Sequence, residues 1–144
     1  MRPLTAQKID VGLDATGKIV GWRHRLAAEP VTSYVYDKAR LEAQKGNDII
    51  VVAGADVPFY DVPAFVTDHV YEERGVRVAA WRGIGAGYTN FAVEGMIDEL
   101  AQQAGKDPLA YRMALLKDAR ARKVIERVAQ LSEWGRKREG RALG

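Results

Sequence analysis

Val78-Ala79-Ala80-Trp81-Arg82-Gly83-Ile84-Gly85-Ala86-Gly87-Tyr88-Thr89-Asn90 divides the chain into two kinds of sequence. Before it lie β-branched and alternating runs; after it come three segments with helical spacing. Three glycines at alternate positions let a backbone approach a ligand closely, and the helix start that follows offers unpaired N–H groups suited to an anion. Arg82 adds a planar fork of donors just before the bend. Read from Gly83, the third glycine of a dinucleotide fingerprint would fall at Tyr88, so that pattern fails. No Gly-Lys-Ser or Gly-Lys-Thr follows for a phosphate loop. On the residues alone, a ligand-binding loop and a plain strand-to-helix turn both remain open.

Upstream of this stretch, Ala6, Lys8 and Asp10 alternate with Gln7, Ile9 and Val11 until Asp14-Ala15-Thr16-Gly17, which suits a tight turn. Lys18 to Leu26 continues as a strand with Ile19, Gly21 and Arg23 on one face and Val20, Trp22 and His24 on the other. His24, between two arginines, reads as a surface residue rather than a base. Tyr34-Val35-Tyr36 reads as a short strand, Lys38 to Lys45 as a surface helix or an excursion, and Asp48 to Ala53 as a strand or a buried extended segment. Pro58 and Pro63 force an extended connection. Ala64 to His69 and Gly75 to Trp81 read as two further strands.

Downstream, Thr89 or Asn90 can cap a helix carrying Val93, Ile97, Leu100 and Ala104. Asp107-Pro108 restarts a second helix with the stripe Leu109, Met113, Leu116. A third uses Val124, Ile125, Val128 and Leu131 and ends at Trp134-Gly135. Strands first and helices afterwards give an α+β class: an N-terminal β-hairpin and further strands in a mixed or antiparallel sheet, followed by three C-terminal helices. Residues 1–135 make one domain, and 136–144 read as a basic flexible tail.

The 144 residues are 47% hydrophobic and 28% charged, enough for one core and too apolar for a disordered chain. No cysteine is present, which excludes disulfides, cysteine metal sites and thiol catalysis. No apolar run reaches the roughly 20 residues of a membrane span. The opening residues lack an apolar signal core, so the expectation is a cytoplasmic chain, with a periplasmic parent enzyme left open. From Arg112 onward ten Lys/Arg face four Asp/Glu, a net of +6, while the rest carries −3. That excess reads as a solvated helix face and tail.

Trp81-Arg82-Gly83-Ile84-Gly85, followed by Phe91-Ala92-Val93-Glu94 and Ile97-Asp98-Glu99-Leu100-Ala101, resembles the molybdopterin-binding (large) subunit of the xanthine dehydrogenase and aldehyde oxidase family. Gly105-Lys106-Asp107-Pro108-Leu109-Ala110-Tyr111-Arg112 is similar to that family's step into its next helix. Gly54 to Pro63 and the hairpin Val11 to Val20 resemble the family's branch of isoquinoline 1-oxidoreductase β-subunits. The resemblance implies that Arg82 contacts the molybdopterin through its backbone N–H, with Ala80, Trp81, Gly83 and Gly85 alongside. Ile84 falls where many members carry an aromatic that stacks on substrate, which argues against purines and allows aldehydes or N-heterocycles. In the family the molybdenum is held by the pterin's sulfurs, so no protein metal ligand is expected. The cofactor implied is molybdenum–molybdopterin, in its cytosine dinucleotide form, held by the complete enzyme and not by this chain alone.

Members of the family run to several hundred residues, with a general-base glutamate near the far end. Glu139 is no substitute for it, and no catalytic residue is assigned in this chain. Glu94, Asp98 and Glu99 read as structural, Glu94 helping to fix the loop and Glu99 facing solvent. The expected partners are the remainder of the large subunit or a complementary chain, and a 2Fe–2S subunit; the chain alone is expected to be inactive. The competing class is a small non-enzymatic interaction module whose basic C-terminal region binds an acidic partner or nucleic acid. Only Trp134 accompanies the basic residues there, which gives little support for stacking on bases.

Overall fold

The computed structural model describes residues 2–45, 47–57 and 59–140. Strands β1 (Thr5–Leu13) and β2 (Ile19–Ala28) form the expected antiparallel hairpin. Asp14 closes its turn by accepting the N–H groups of Thr16 and Lys18 at 2.8 and 3.0 Å. Gln7, Ile9 and Val11 are half-buried while Ala6, Lys8 and Asp10 are exposed, as their alternation requires. In β2 the face of Trp22, His24, Leu26 and Ala28 is buried and that of Arg23 and Arg25 is not. A register shift between Gly12 and Leu13 pairs Leu13 with Ile19. Ile19 is fully buried, unlike Arg23, with which simple alternation grouped it.

The third strand, β3 (Phe65–Tyr71), runs parallel to β2, so the sheet is mixed in the order β1-β2-β3. A parallel neighbour needs a crossover. Helices α1 (Val31–Val35) and α2 (Lys38–Ala43) and the turns that follow supply it.

Several sequence expectations are corrected in this crossover. Tyr34 and Val35 end a short helix instead of forming a strand, and Asp48 to Ala53 is a series of turns. One buried carboxylate explains both. Asp48 accepts the N–H and Oγ–H of Thr32 at 2.7 and 2.8 Å and the N–H groups of Ile50 and Val51 at 3.0 and 3.2 Å. Local side-chain acceptance of this kind overrides the strand preference of the β-branched run. Gly75 to Trp81 is not a paired strand either: Glu29 takes the N–H groups of Arg74 and Val76 at 3.2 and 3.1 Å and holds the start of this segment. His24 is fully buried instead of lying at the surface, because it sits on the core face of β2. Its Nε2 meets Gln7 Oε1 at 2.9 Å. Pro58, Gly46 and residues 141–144, the last four of the expected tail, lie outside the described residues.

Helix α3 (Ala86–Gln103) starts a turn earlier than a Thr89 or Asn90 cap would place it, directly after Gly85. It buries Val93, Ile97, Leu100 and Ala101, which pack with Ile19, Trp22, Val62 and Tyr111. Helices α4 (Pro108–Leu115) and α5 (Ala119–Leu131) begin at side-chain caps, Asp107 and Asp118, which accept from Ala110 and Ala121 at 2.9 and 2.7 Å. The stripe of α5 is not core: Val124, Val128 and Leu131 are 55–67% exposed. A second apolar cluster joins Leu26, Ala28, Val31, Val51, Ala55 and Val78. Among the described residues no helix is long and apolar enough to cross a membrane.

Candidate functional site

The bend before α3 is built on the turns around Asp48. Those turns present the carbonyls of Ile50 and Val51 outward, and Gly85 is seated against them, its N–H donating to Ile50 O at 3.1 Å. A β-carbon at Gly85 would come within 2.7 Å of Ile50 O and closer still to Val51 O. Gly54, at φ +84°, makes the second close approach: a β-carbon there would meet Asn90 Oδ1 at 2.6 Å and Thr89 Oγ1 at 2.8 Å. Two hydroxyls complete the clamp. Thr89 donates to Ala53 O at 2.5 Å, and Tyr88 donates to Val51 O at 3.0 Å. Burial pushes the Tyr88 phenol up to about 12, so it remains a donor at neutral pH.

The bend itself faces solvent. Trp81 is 68% exposed, Ala80, Arg82 and Gly83 are exposed, Ile84 is half-buried and Gly85 is buried. Gly83 has φ +81° and Ile84 φ +45°. The left-handed backbone costs a β-branched residue on the order of 1–3 kcal/mol and persists only where neighbours impose it. Here Ile84 N–H closes on Trp81 O at 2.7 Å, and Gly85 is held as described. Among the described residues, the N–H groups of Arg82, Gly83 and Ala86 have no protein acceptor. The bend therefore offers three backbone donors beside the start of an 18-residue helix.

Arg2 is a member of this neighbourhood that sequence reading missed. Its guanidinium lies over Gly87 and donates to Arg82 O at 3.4 Å. No local signal could have found it, since 80 residues separate the two arginines. Gln7 ties β1 to the same helix, donating to Tyr88 O at 3.2 Å while its Oε1 meets buried His24.

The three acidic residues of α3 stand apart from the bend. Glu94, which the sequence suggested would help fix the loop, instead accepts from Tyr60 Oη at 2.8 Å and from Arg112 Nε at 2.9 Å. Asp98 meets Arg112 Nη1 at 2.5 Å, and Glu99 is exposed. Burial disfavours the Arg112 cation, but its hydrogen bonds to Asp98 and Glu94 outweigh that and raise its pKa. Burial and the Glu94 charge hold the Tyr60 phenol above its ordinary range. This cluster joins α3, α4 and the segment at Tyr60, and it is structural.

Comparison with known proteins agrees with the architecture. Residues 1–116 match the family model described as molybdopterin cofactor-binding domain. The β-subunit of isoquinoline 1-oxidoreductase from Brevundimonas diminuta is 31% identical over 140 residues, covering 92% of this chain and 17% of its own. A subunit of nicotinate dehydrogenase from Pseudomonas putida is 32% identical over 149 residues, covering 90% of this chain and 11% of its own. The aldehyde oxidoreductase of Desulfovibrio gigas superposes with a TM-score of 0.68 over 92% of this chain and 15% of its own, at 18% identity, a likeness of fold. The chain thus spans less than a fifth of the length of these relatives. With the family model matching residues 1–116 of its 144, the chain belongs to the molybdopterin cofactor-binding domain family.

Proposed function

We propose that the bend Ala80–Gly85 forms one wall of a molybdopterin pocket in an oxidoreductase that hydroxylates an aldehyde or an aromatic N-heterocycle with water-derived oxygen. The observation that carries this reading is the set of free N–H groups at Arg82, Gly83 and Ala86 on an exposed bend clamped by Gly85. These groups suit an anionic, oxygen-rich cofactor such as the cytosine dinucleotide form of molybdopterin. When bound, that group supplies the redox chemistry. The chain's own residues orient it. Arg82 and Gly83 donate through their backbones, Ala80 and Trp81 pack alongside, and Gly85 keeps the bend close to Val51. Ile84 presents an aliphatic surface toward substrate, which favours aldehydes or N-heterocycles over ligands that need an aromatic stacking partner.

None of these residues is a general base. Turnover in this reading requires polypeptide beyond these 144 residues, either the remainder of a large subunit or a complementary chain, and a 2Fe–2S subunit to remove electrons. The test is a chimera in which this chain replaces the matching segment of the isoquinoline 1-oxidoreductase β-subunit. The chimera should retain molybdenum and oxidise substrate; Gly83→Val, which cannot hold φ +81° without strain and so displaces the N–H groups of the bend, and Arg82→Glu, which sets a carboxylate beside the anion, should each lower its molybdenum content about tenfold. Unchanged molybdenum content and turnover in both variants would refute the assignment of the bend. Oxidation of aldehyde or heterocycle by the isolated chain mixed with cofactor would refute the need for a partner.

A further inference from the structure

Strand β1 reaches α3 through Gln7, whose side chain donates to Tyr88 O at 3.2 Å. Its N-terminal end therefore arrives at the bend, and Arg2 is delivered there. Arg2 is exposed, and its guanidinium lies 3.7–3.9 Å from where a β-carbon of Gly87 would stand. Its one hydrogen bond among the described residues, from Nη2 to Arg82 O at 3.4 Å, is long and occupies one N–H of the guanidinium. Holding so flexible a side chain costs rotamer entropy that one long bond to an exposed carbonyl does not repay.

Charge makes the placement more specific. Arg23, Arg25, Arg74 and Arg112 each pair with a carboxylate, whereas neither Arg2 nor Arg82 does so among the described residues. Residues 1–111 carry twelve Lys/Arg and fifteen Asp/Glu, so carboxylates are in excess in this part of the chain. Two arginines nevertheless meet at the bend without one. The remaining N–H groups of Arg2 and the backbone N–H groups of Arg82, Gly83 and Ala86 have no acceptor among the described residues. A phosphate group has oxygens enough for a guanidinium and backbone N–H groups together. A planar carboxylate, with two, is satisfied by the guanidinium fork alone.

We propose that Arg2 is a further cofactor-binding residue, whose guanidinium takes phosphate oxygens of the molybdopterin dinucleotide while the backbone of the bend takes others. The inference rests on the bend being a cofactor wall, and it adds a charged partner from 80 residues earlier in the chain.

The test is a titration of the full chain with inorganic pyrophosphate, followed by NMR, with benzoate as the carboxylate probe. Pyrophosphate should shift the amides of Arg82, Gly83 and Ala86 together with the Arg2 Nε–H, and benzoate should bind more weakly. Arg2→Gln should weaken pyrophosphate binding about tenfold, and Arg2→Lys, which keeps the charge without the fork, about threefold. Arg127→Gln makes the same change of net charge at an exposed position of α5 and should alter binding less than about twofold. In the chimera, Arg2→Gln should lower molybdenum content and the nucleotide released on denaturation by a similar factor.

Equal pyrophosphate affinity in the parent and Arg2→Gln overturns the inference, as does an equal loss in Arg127→Gln. Tighter binding of benzoate than of pyrophosphate also overturns it and would make Arg2 a substrate contact. So does the absence of any response in the parent. The reading of the bend is judged separately, by the molybdenum content of Gly83→Val, so either assignment can fail alone.

Discussion

Gly85 rests against the carbonyl of Val51 with no room for a β-carbon between them. This contact joins the glycine bend to the turns organised by Asp48, so the exposed donors of the bend depend on a buried carboxylate more than thirty residues earlier in the chain. Gly85→Ala should therefore lower stability by about 1–3 kcal/mol, the range for overpacking a rigid site. The check is the urea midpoint at unchanged m-value; a midpoint equal to that of the parent would show that the bend yields freely.

Asp48→Ala should cost more, about 3 kcal/mol, because the N–H groups of Thr32 and Ile50 and the Thr32 hydroxyl lose their common acceptor inside the fold, while Val51 N–H keeps the Asp48 carbonyl at 2.9 Å. Asp48→Asn should fall between, since the amide keeps one acceptor oxygen but turns a donor toward other donors. Chemical denaturation of the pair gives both values. Equal losses would mean that charge, and not the count of acceptor oxygens, decides.

Acidification should destabilise the chain through its histidines. Burial holds His24 and His69 below the ordinary imidazole pKa. In the unfolded chain they take up protons near the usual value of about 6.5, and in the folded chain only at lower pH. Their contribution is therefore complete above about pH 6.5 and is lost as pH falls toward the folded values. Denaturation midpoints measured at about pH 7.5 and about pH 5.5 should differ, and His24→Gln should flatten the difference. An unchanged slope in that variant would place the pH sensitivity elsewhere.

Arg112→Ala should cost about 2 kcal/mol. Its side chain is only 15% exposed and also donates to the carbonyls of Glu94 and Pro108. Glu94 and Asp98 are 45% and 50% exposed, so the ion pairs themselves are weakened by solvent and most of the loss comes from buried carbonyls and packing. Raising the salt concentration on the parent protein should accordingly change its midpoint little.

The exposed stripe of α5 should bind hydrophobic dye and promote self-association. Val124→Lys with Val128→Lys should reduce dye fluorescence without lowering the melting temperature, because neither side chain is part of the two buried clusters. A large drop in melting temperature would show that these valines are packed in solution.

Periodicity and caps made much of this fold readable. The alternation around Asp14-Gly17 specified the hairpin, and Asp107-Pro108 specified the start of α4, because both depend on interactions within a few residues. The spacing of Val93, Ile97 and Leu100 named the buried face of α3 for the same reason. The glycine bend could be located from sequence, and its likeness to one family could be stated there, but its exposure could not.

Local sequence determined the elements that close their own hydrogen bonds: the hairpin, the three long helices and the position of the bend between them. Tertiary structure alone decided that Asp48 would capture Thr32, that His24 would lie inside, and that Arg2 would reach Arg82. It also decided that β3 would run parallel to β2 with an open edge. Each of these outcomes depends on groups far apart in the chain competing for the same buried donors, acceptors or apolar surface, and that competition has no counterpart in any short window of sequence.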